Sequence, residues 1–494
     1  MKNNKEFING IYEKYDEYLN EKKMIKQRNL KRIVNMAAVI VVLFSAIIVY
    51  SERKNEHKTT IIGEDKIEEN EIKLGTVGNF ENFYNAIKEK CNSNNIFQEE
   101  SKSQEIIEDR NEIKESGIEK SETNIQVKNV DEADIVKVDD KYIYYISEDK
   151  VVIIDAQIPE TSEKISEINY KDDNFYPREI YVKNQKLVVI VNEYDNSCKT
   201  KIISTDDEAI TDIDVTQNDK TKSGMIIYDI SNIKEPKEIR KVMIEGDYIS
   251  SRMIDDNIYY VASKYIMTSN IKRNKIEDLD ENKYKPVYQD TAVSKEEKCI
   301  NYDSIYYFNE IQDTNYLMLA GLNINSNEEA EVRTFLGAGQ YVYSSEKNMY
   351  IATNKMTYGE GYEVLGGSTH LLKIGINNGK FKFEAEGTVD GQVNNQFSMD
   401  ESENTDSTTF RIATTTGNIW VDKTTANNLY ILNDKLEVIG KVENFGKEEK
   451  IYSVRYVGNK AYIVTFKQTD PLFVIDLSKS DNPQILGELK IPGY

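Results

Sequence analysis

Two kinds of hydrophobic patterning divide this chain. Residues 33–51, IVNMAAVIVVLFSAIIVYS, form one long apolar run without a charge, its one strongly polar residue being Asn35 near the start. From about residue 125 onward the pattern changes to short apolar runs of four to six residues, each introduced by Lys, Asn or Asp at a turn. These runs are Tyr142–Ile146, Leu187–Val191, Ile258–Ala262, Met349–Ala352, Leu429–Leu432 and Ala461–Phe466. They are rich in aromatic and β-branched residues, which suits strands. Strands with one wet face alternate apolar and polar positions, whereas continuous runs predict strands covered on both faces. Lys141–Ile146 and Val151–Ile154, separated by the polar Ser147–Lys150, read as the first hairpin.

The units repeat. Met225–Gly246 (MIIYDISNIKEPKEIRKVMIEG) aligns without a gap on Leu472–Gly493 (LFVIDLSKSDNPQILGELKIPG), matching Asp229 with Asp476, Ser231 with Ser478, Pro236 with Pro483, Ile244 with Ile491 and Gly246 with Gly493. Asp and Ser can hold backbone N–H groups where a strand ends, and Pro stops the ladder before the next begins. The two segments are therefore expected at equivalent places in two different sheets. One supersecondary unit repeated about six times after Asp140 predicts a ring or solenoid, and an antiparallel ring of stacked sheets is a β-propeller. The fold expected is all-β, a propeller of antiparallel blades over residues 123–494.

Thr123–Ile146, TNIQVKNVDEADIVKVDDKYIYYI, resembles the opening motif of a family of secreted or membrane-anchored prokaryotic β-propeller proteins, distantly like WD-repeat propellers. Gly387–Gly417, with its Gln-Phe-Ser-Met-Asp-Glu and Arg-Ile-Ala-Thr-Thr pieces, and Asp470–Tyr494 carry the same resemblance, as does Gly78–Ile87, so it runs from about residue 74 to the end. Members of that family continue past the Gly-Glu-Leu-Lys-Ile-Pro-Gly-Tyr motif on which this sequence stops at Tyr494. The expectation is an incomplete ring, or one closed only loosely by Asn124–Val127, with strand Ile485–Ile491 left at an edge.

The amino-terminal quarter, residues 1–122, reads as address and spacer. Nineteen apolar residues at about 1.5 Å each reach roughly 28 Å, close to a bilayer's hydrocarbon core. Lys22, Lys23, Lys26, Arg28, Lys31 and Arg32 crowd the amino-terminal side of residues 33–51, which puts residues 1–32 in the cytoplasm and the rest outside the cell. The long charged leader and the absence of an A-x-A site favour an uncleaved signal anchor over a cleaved signal peptide. Phe7, Ile8, Ile11, Tyr12, Tyr15, Tyr18 and Leu19 share one helical face. It is either a docking face for a cytoplasmic partner (residues 7–19) or a helix lying on lipid headgroups. Residues 52–122 have the composition of a charged extracytoplasmic stalk, broken by a short helix at 79–90 with Asn79 as its N-cap.

Charge narrows the partners. Residues 1–32 carry nine Lys or Arg against five Asp or Glu, a net of +4, so the rest of a chain totalling −22 carries −26. So acidic a body repels a polyphosphate backbone and excludes nucleic acid as a partner. An unknown protein or polysaccharide is the ligand expected. Only His57 and His370 are present, and Cys91, Cys198 and Cys299 are odd in number with no C-x-x-C. No catalytic, cofactor-binding or metal-ligating residue is assigned, and no cofactor is expected. A Cys198–Cys299 bridge stays open. Asp212 and Asp214, and Asp278, Asp280 and Asn282, lack the Gly and distal Glu of a calcium loop and read as solvated loops, within insertions 192–223 and 263–300. Asp131, Glu132 and Asp134 read as a structural turn, and Gly359, Gly361, Gly366 and Gly367 as turns without a phosphate-loop Lys. The function this supports is a non-catalytic binding or scaffolding module. The alternative is a carboxylate-based hydrolase or lyase acting on cell-surface polymer, since 85 acids guarantee some close pairs.

Overall fold

The computed structural model describes residues 74–94 and 125–491, interrupted at 172–173, 195–220, 308–310, 312, 338, 340, 359–363, 404–407, 419–423 and 467–469. The expected cytoplasmic arm, the anchor at 33–51, most of the stalk and Asp212, Asp214 and Cys198 lie outside the described residues. Among the described residues no helix is long and apolar enough to cross a membrane.

Among the described residues, six mainly antiparallel sheets follow one another in chain order. The first is Val136–Val138, Tyr142–Ser147, Lys150–Asp155 and Glu163–Asn169. The second is Phe175–Lys183, Lys186–Glu193, Lys222–Asp229 and Lys237–Glu245, and the third is built on Asp247–Ile254, Asn257–Tyr265, Asn315–Asn323 and Glu331–Leu336. Tyr341–Ser344, Asn348–Tyr358, Val364–Asn377 and Lys380–Asp390 make the fourth. The fifth sets Gln392–Val393 and Met399–Glu403 against Thr408–Thr416, then Ala426–Leu432 and Val438–Phe445. The sixth is Lys450–Val457, Lys460–Phe466, Asp470–Asp476 and Gln484–Ile491.

The continuous apolar runs are explained by how successive sheets stack. Along Asn315–Asn323, Tyr316, Met318, Ala320 and Leu322 join the core shared with the second sheet, and the alternate Leu317 and Leu319 join the core shared with the fourth. Met349 and Ile351 face one way and Tyr350 and Ala352 the other, and Leu429 and Ile431 divide from Tyr430 and Leu432 in the same manner. A strand's side chains alternate between faces, so a strand between two neighbours must be apolar at every position. Five cores therefore join six sheets in series. Among the described residues no such core joins the sixth sheet to the first, and Gln484–Ile491 pairs only with Asp470–Asp476.

Two crossovers between sheets are a single glycine. Gly246 (φ +117°) lies between the last strand of the core second sheet and the first of the third, where an added Cβ would stand 2.6 Å from the Ser263 carbonyl oxygen. Gly391 (φ +87°) does the same between the fourth and fifth. The aligned segments occupy equivalent places, the third and fourth strands of the second and sixth sheets. In both, the Asp ends its strand by accepting from the Ser two residues on, Ser231 N to Asp229 at 2.8 Å and Ser478 N to Asp476 at 3.0 Å.

The segment before the first sheet docks on the third. Gly75–Thr76 pairs with Tyr306–Tyr307 at the sheet's outer edge, and a helix then runs Phe80–Asn94 with Asn79 Oδ1 accepting from Asn82 N at 2.9 Å. Phe83, Ile87 and Cys91, four residues apart, are buried against Tyr302, Tyr316 and Ile271. The insertion read as a loop from 263 to 300 is largely ordered. It holds a short helix, Ser269–Arg273, and the strands Val287–Asp290 and Ser294–Cys299, which widen the second sheet to six. Its polar composition hid this because its anchor is itself polar. Asp290, almost wholly buried, takes two hydrogen bonds from Arg240 (2.6 and 3.0 Å) and one from Ala330 N (2.8 Å). Burial pushes the Asp290 carboxyl up, but these donors outweigh it and hold it below the usual range.

Candidate functional site

The opening motif forms a strap, Gln126–Val136, that touches five sheets in eleven residues. Gln126 Nε2 donates to the carbonyls of Gln396 and Met399 in the fifth sheet, both at 3.2 Å, and Val127 packs on the core between the fourth and fifth. Asn129, in the left-handed region at φ 65°, donates to Glu346 Oε1 of the fourth sheet at 2.6 Å. Val130–Asp131 then pairs with Met253–Ile254 of the third. Asp134 exchanges two backbone hydrogen bonds with Ile180 of the second, at 2.8 and 3.3 Å, and the chain enters the first sheet at Val136. The ten steps from Gln126 to Val136, fully extended, reach at most about 35 Å. They can meet five sheets only where the sheets converge, so the first strands line a common centre. Arg252 confirms it by bonding Gln396 Oε1 at 3.0 Å, from the third sheet to the fifth.

The motif's carboxylates are committed within the fold. Asp131 accepts from the buried Lys137 at 2.8 Å, and Lys137 also reaches the Glu132 carbonyl at 2.6 Å. Glu132 pairs with Arg252 at 3.3 Å, and Asp134 Oδ1 accepts from Ile135 N at 2.7 Å. Beside them Glu179 accepts from Tyr248 (2.6 Å), which meets Ser251 (2.8 Å), which meets Tyr181 (2.9 Å). Burial raises the Glu179 carboxyl against the pull of Tyr248 and Arg252. The structural-turn reading of Asp131, Glu132 and Asp134 thus becomes a strap. Of the two arrangements expected at the end of the chain, loose closure by Asn124–Val127 is not what the described residues make: Gln126 and Val127 engage the fifth and fourth sheets, and Gln484–Ile491 is left at an edge.

A second, partly buried polar group lies on Met399–Glu403. Asp400 faces Arg411 at 3.3 Å, and Arg411 also donates to the Gly458 carbonyl (2.8 Å) and Ser402 Oγ (2.7 Å). Burial pushes the Asp400 carboxyl up to about 6, with Arg411 opposing and Glu401 adding. Glu401 Oε2 accepts from Tyr350 (2.5 Å) and Asn348 (2.7 Å), while its buried Oε1 has no partner among the described residues. Asp400, Glu401 and Gln396 fall inside the quoted Gln-Phe-Ser-Met-Asp-Glu piece, yet nothing in the pattern assigned them a role. Arg411 falls inside the quoted Arg-Ile-Ala-Thr-Thr piece, likewise without an assigned role, and Arg252 carries no signal in sequence, because Glu132 and Gln396 lie far from it along the chain.

The other candidates are scattered. Asp280 accepts from Asn282 N at 3.1 Å and caps a 3₁₀ turn at Glu281–Lys283. His370 sits mid-strand in the fourth sheet, 3.9 Å from Glu386, and Gly366 and Gly367 lie in that same strand. Cys91 is buried and Cys299 exposed, each with a free thiol. Among the described residues no three His, Cys, Asp or Glu side chains are placed to hold a metal ion.

A family model described as a beta propeller domain matches residues 120–494. An uncharacterised protein of Methanocaldococcus jannaschii is 29% identical over 500 aligned residues, covering 86% of this chain and 71% of the relative. An uncharacterised protein of Archaeoglobus fulgidus is 26% identical, covering 76% of this chain and 64% of its own length. Among solved structures, a hypothetical selenium-binding protein from Sulfolobus tokodaii is similar at a TM-score of 0.27 and 8% identity, over 71% of this chain and 75% of that one. So slight a likeness carries nothing about function.

Proposed function

Because the chain belongs to the beta propeller domain family, we propose that it is a non-catalytic binding or scaffolding module, held outside the cell by an anchor at residues 33–51 and presenting its propeller to a protein or polysaccharide. The observation that carries the non-catalytic part is the strap. Asp131, Glu132 and Asp134 of the opening motif are taken up by a lysine, an arginine and a backbone N–H of the fold respectively. Residues spent on holding sheets together are poor candidates for turnover, and recognition is left to the loops and rim. The amphipathic face at residues 7–19 would meet a cytoplasmic partner.

Full-length protein in lipid nanodiscs, incubated with purified cell-surface polysaccharide, should bind it and leave its chain length unchanged. Shortening of the polymer that disappears in Asp400→Asn or Glu401→Gln would instead make it the carboxylate-based hydrolase or lyase, with the partly exposed, raised Asp400 as the acid. For the topology, protease added to intact cells should release the propeller and spare residues 1–32. A soluble mature protein beginning after Tyr50 would show a cleaved signal peptide.

A further inference from the structure

Each sheet is entered and left at one end. Its four main antiparallel strands return the chain to the end where it began, and links of one to five residues, the shortest being Gly246 and Gly391, carry it into the next sheet there. The starts of the first strands and the ends of the second therefore form one rim around the common centre. Seven aromatic side chains are exposed among the described residues: Phe397 lies in the turn at the centre, and the other six stand on this rim. Four of them form two pairs. On the second sheet Tyr176, near the start of the first strand, meets Tyr194, just past the end of the second, edge to face with ring centroids 5.4 Å apart. On the sixth sheet Tyr452 and Phe466 hold the equivalent places, with centroids 6.4 Å apart. The four rings are 43%, 39%, 69% and 48% exposed in chain order, so each keeps one side in water. Asn192, opposite Tyr176 in register and almost wholly buried, donates from Nδ2 to the Tyr194 hydroxyl at 3.0 Å, while its Oδ1 has no partner among the described residues. The charges near this pair are spent on one another, Lys222 on Glu193 and Glu297, and Lys264 on Glu245.

We propose that this rim binds an uncharged polysaccharide, with the pairs Tyr176–Tyr194 and Tyr452–Phe466 each stacking on a sugar ring. The proposal rests on the binding reading above and gives it a site and a ligand class. A pyranose ring presents a face of weakly positive C–H groups, which the negative face of an aromatic ring attracts, while the sugar hydroxyls at its edge stay in water. Tyr and Phe offer such faces with only two side-chain torsions to hold still. A sugar hydroxyl is also the kind of donor that Asn192 Oδ1 lacks. An anionic polymer is disfavoured, because the body of the chain is acidic and the lysines near the first pair are already paired. A protein partner fits less well. It needs a continuous patch of roughly 800 Å² a side with an apolar centre, whereas these rings are two-residue islands on separate sheets. An island that matches one sugar, repeated at equivalent places, suits a ligand whose own unit repeats, and one polymer engaging both islands strengthens two weak contacts.

The test measures binding of the full-length protein in lipid nanodiscs to two probes, the uncharged and the anionic fractions of purified cell-surface polysaccharide. Wild type should bind the uncharged fraction with an affinity that added salt leaves unchanged. Tyr176→Ala with Tyr194→Ala, and separately Tyr452→Ala with Phe466→Ala, should each weaken it about tenfold, and all four together should abolish it. Binding that survives the loss of all four rings would overturn the proposal and leave the binding-module reading standing. Binding of the anionic fraction alone, lost in salt, would overturn the ligand class, and binding of neither fraction would overturn the proposal and leave a protein as the partner. Shortening of a polymer whose binding still needs the four rings would end the non-catalytic reading and keep the site. Should the alanine variants fail to fold, Tyr194→Trp and Phe466→Trp decide, in a chain that otherwise holds one tryptophan. The emission of each added indole should shift to the blue on adding the uncharged fraction, and an unshifted emission would overturn the proposal.

Discussion

Ala426–Leu432 and Lys460–Phe466 are much alike as sequences and different as structures. The first, in the fifth sheet, is buried at all seven positions. The second, in the sixth, alternates, with Ala461, Ile463 and Thr465 buried and Tyr462, Val464 and Phe466 at least partly open. Backbone and side-chain chemistry are shared, so the difference comes from the neighbours. A strand has two faces, and the burial of the second belongs to whichever sheet lies against it. The same contrast sets Asn315–Asn323, between two cores, against Tyr142–Ser147, which has one.

The largest effect should separate these two kinds of sheet. Leu319, fully buried between the third and fourth sheets, is expected to cost about 3–5 kcal/mol on replacement by alanine, from lost transfer energy and a cavity that cannot collapse. Asp290→Ala should cost a similar 3–5 kcal/mol, because it leaves the buried Arg240 guanidinium without its carboxylate. Urea unfolding at pH 7 measures both. A cost under about 1 kcal/mol for Leu319→Ala would mean that the interior sheets are packed no better than the end ones.

Asp400 sharpens the contrast through pH. Its folded-state carboxyl is raised, so the fold favours the protonated form; that stability is fully present below the ordinary aspartate range near pH 4 and is lost as pH rises through about 6. The difference amounts to roughly 2–3 kcal/mol at about 1.4 kcal/mol per unit. Wild type should therefore lose stability relative to Asp400→Asn between pH 4 and 6.5, and a flat difference would show that water reaches this carboxyl. Glu132→Gln should cost less, about 1 kcal/mol, since the pair with Arg252 is only partly shielded. The loss should fall with added salt, and a loss independent of salt would mean that the strap is held by its backbone pairing alone.

How much of this was legible follows the same division. The six apolar runs each name one strand: those at 142–146, 187–191, 258–262, 349–352 and 461–466 are second strands of their sheets, and that at 429–432 is a third. Period and composition are local, so they survive in sequence. The strap was not legible as a strap. Gln126 meets Gln396 and Met399 some 270 residues away, and Arg252 meets Glu132 and Gln396 across sheets. Nothing local marks such a partner. The ordered insertion at 263–300 was misread for a related reason, because its two strands are held by the buried Arg240–Asp290 pair more than by an apolar period.

The smallest effect is expected at Leu489. It lies in the last strand of the sixth sheet, 59% exposed, in register with Leu472. Replacing it by alanine removes apolar surface that is largely wet already, so the change in unfolding free energy should stay within about 0.5 kcal/mol. The equivalent truncation at Leu319 differs in having a sheet against it and a paired strand on each side, where Leu489 lies in an edge strand. The pair of substitutions thus measures what neighbouring strands and sheets together contribute. If Leu489→Ala cost as much as Leu319→Ala, at a midpoint that moved with protein concentration, the open face would be covered in solution by another molecule. If it cost as much at every concentration, the sixth sheet would be packed on the first, and the difference between end and interior sheets would vanish.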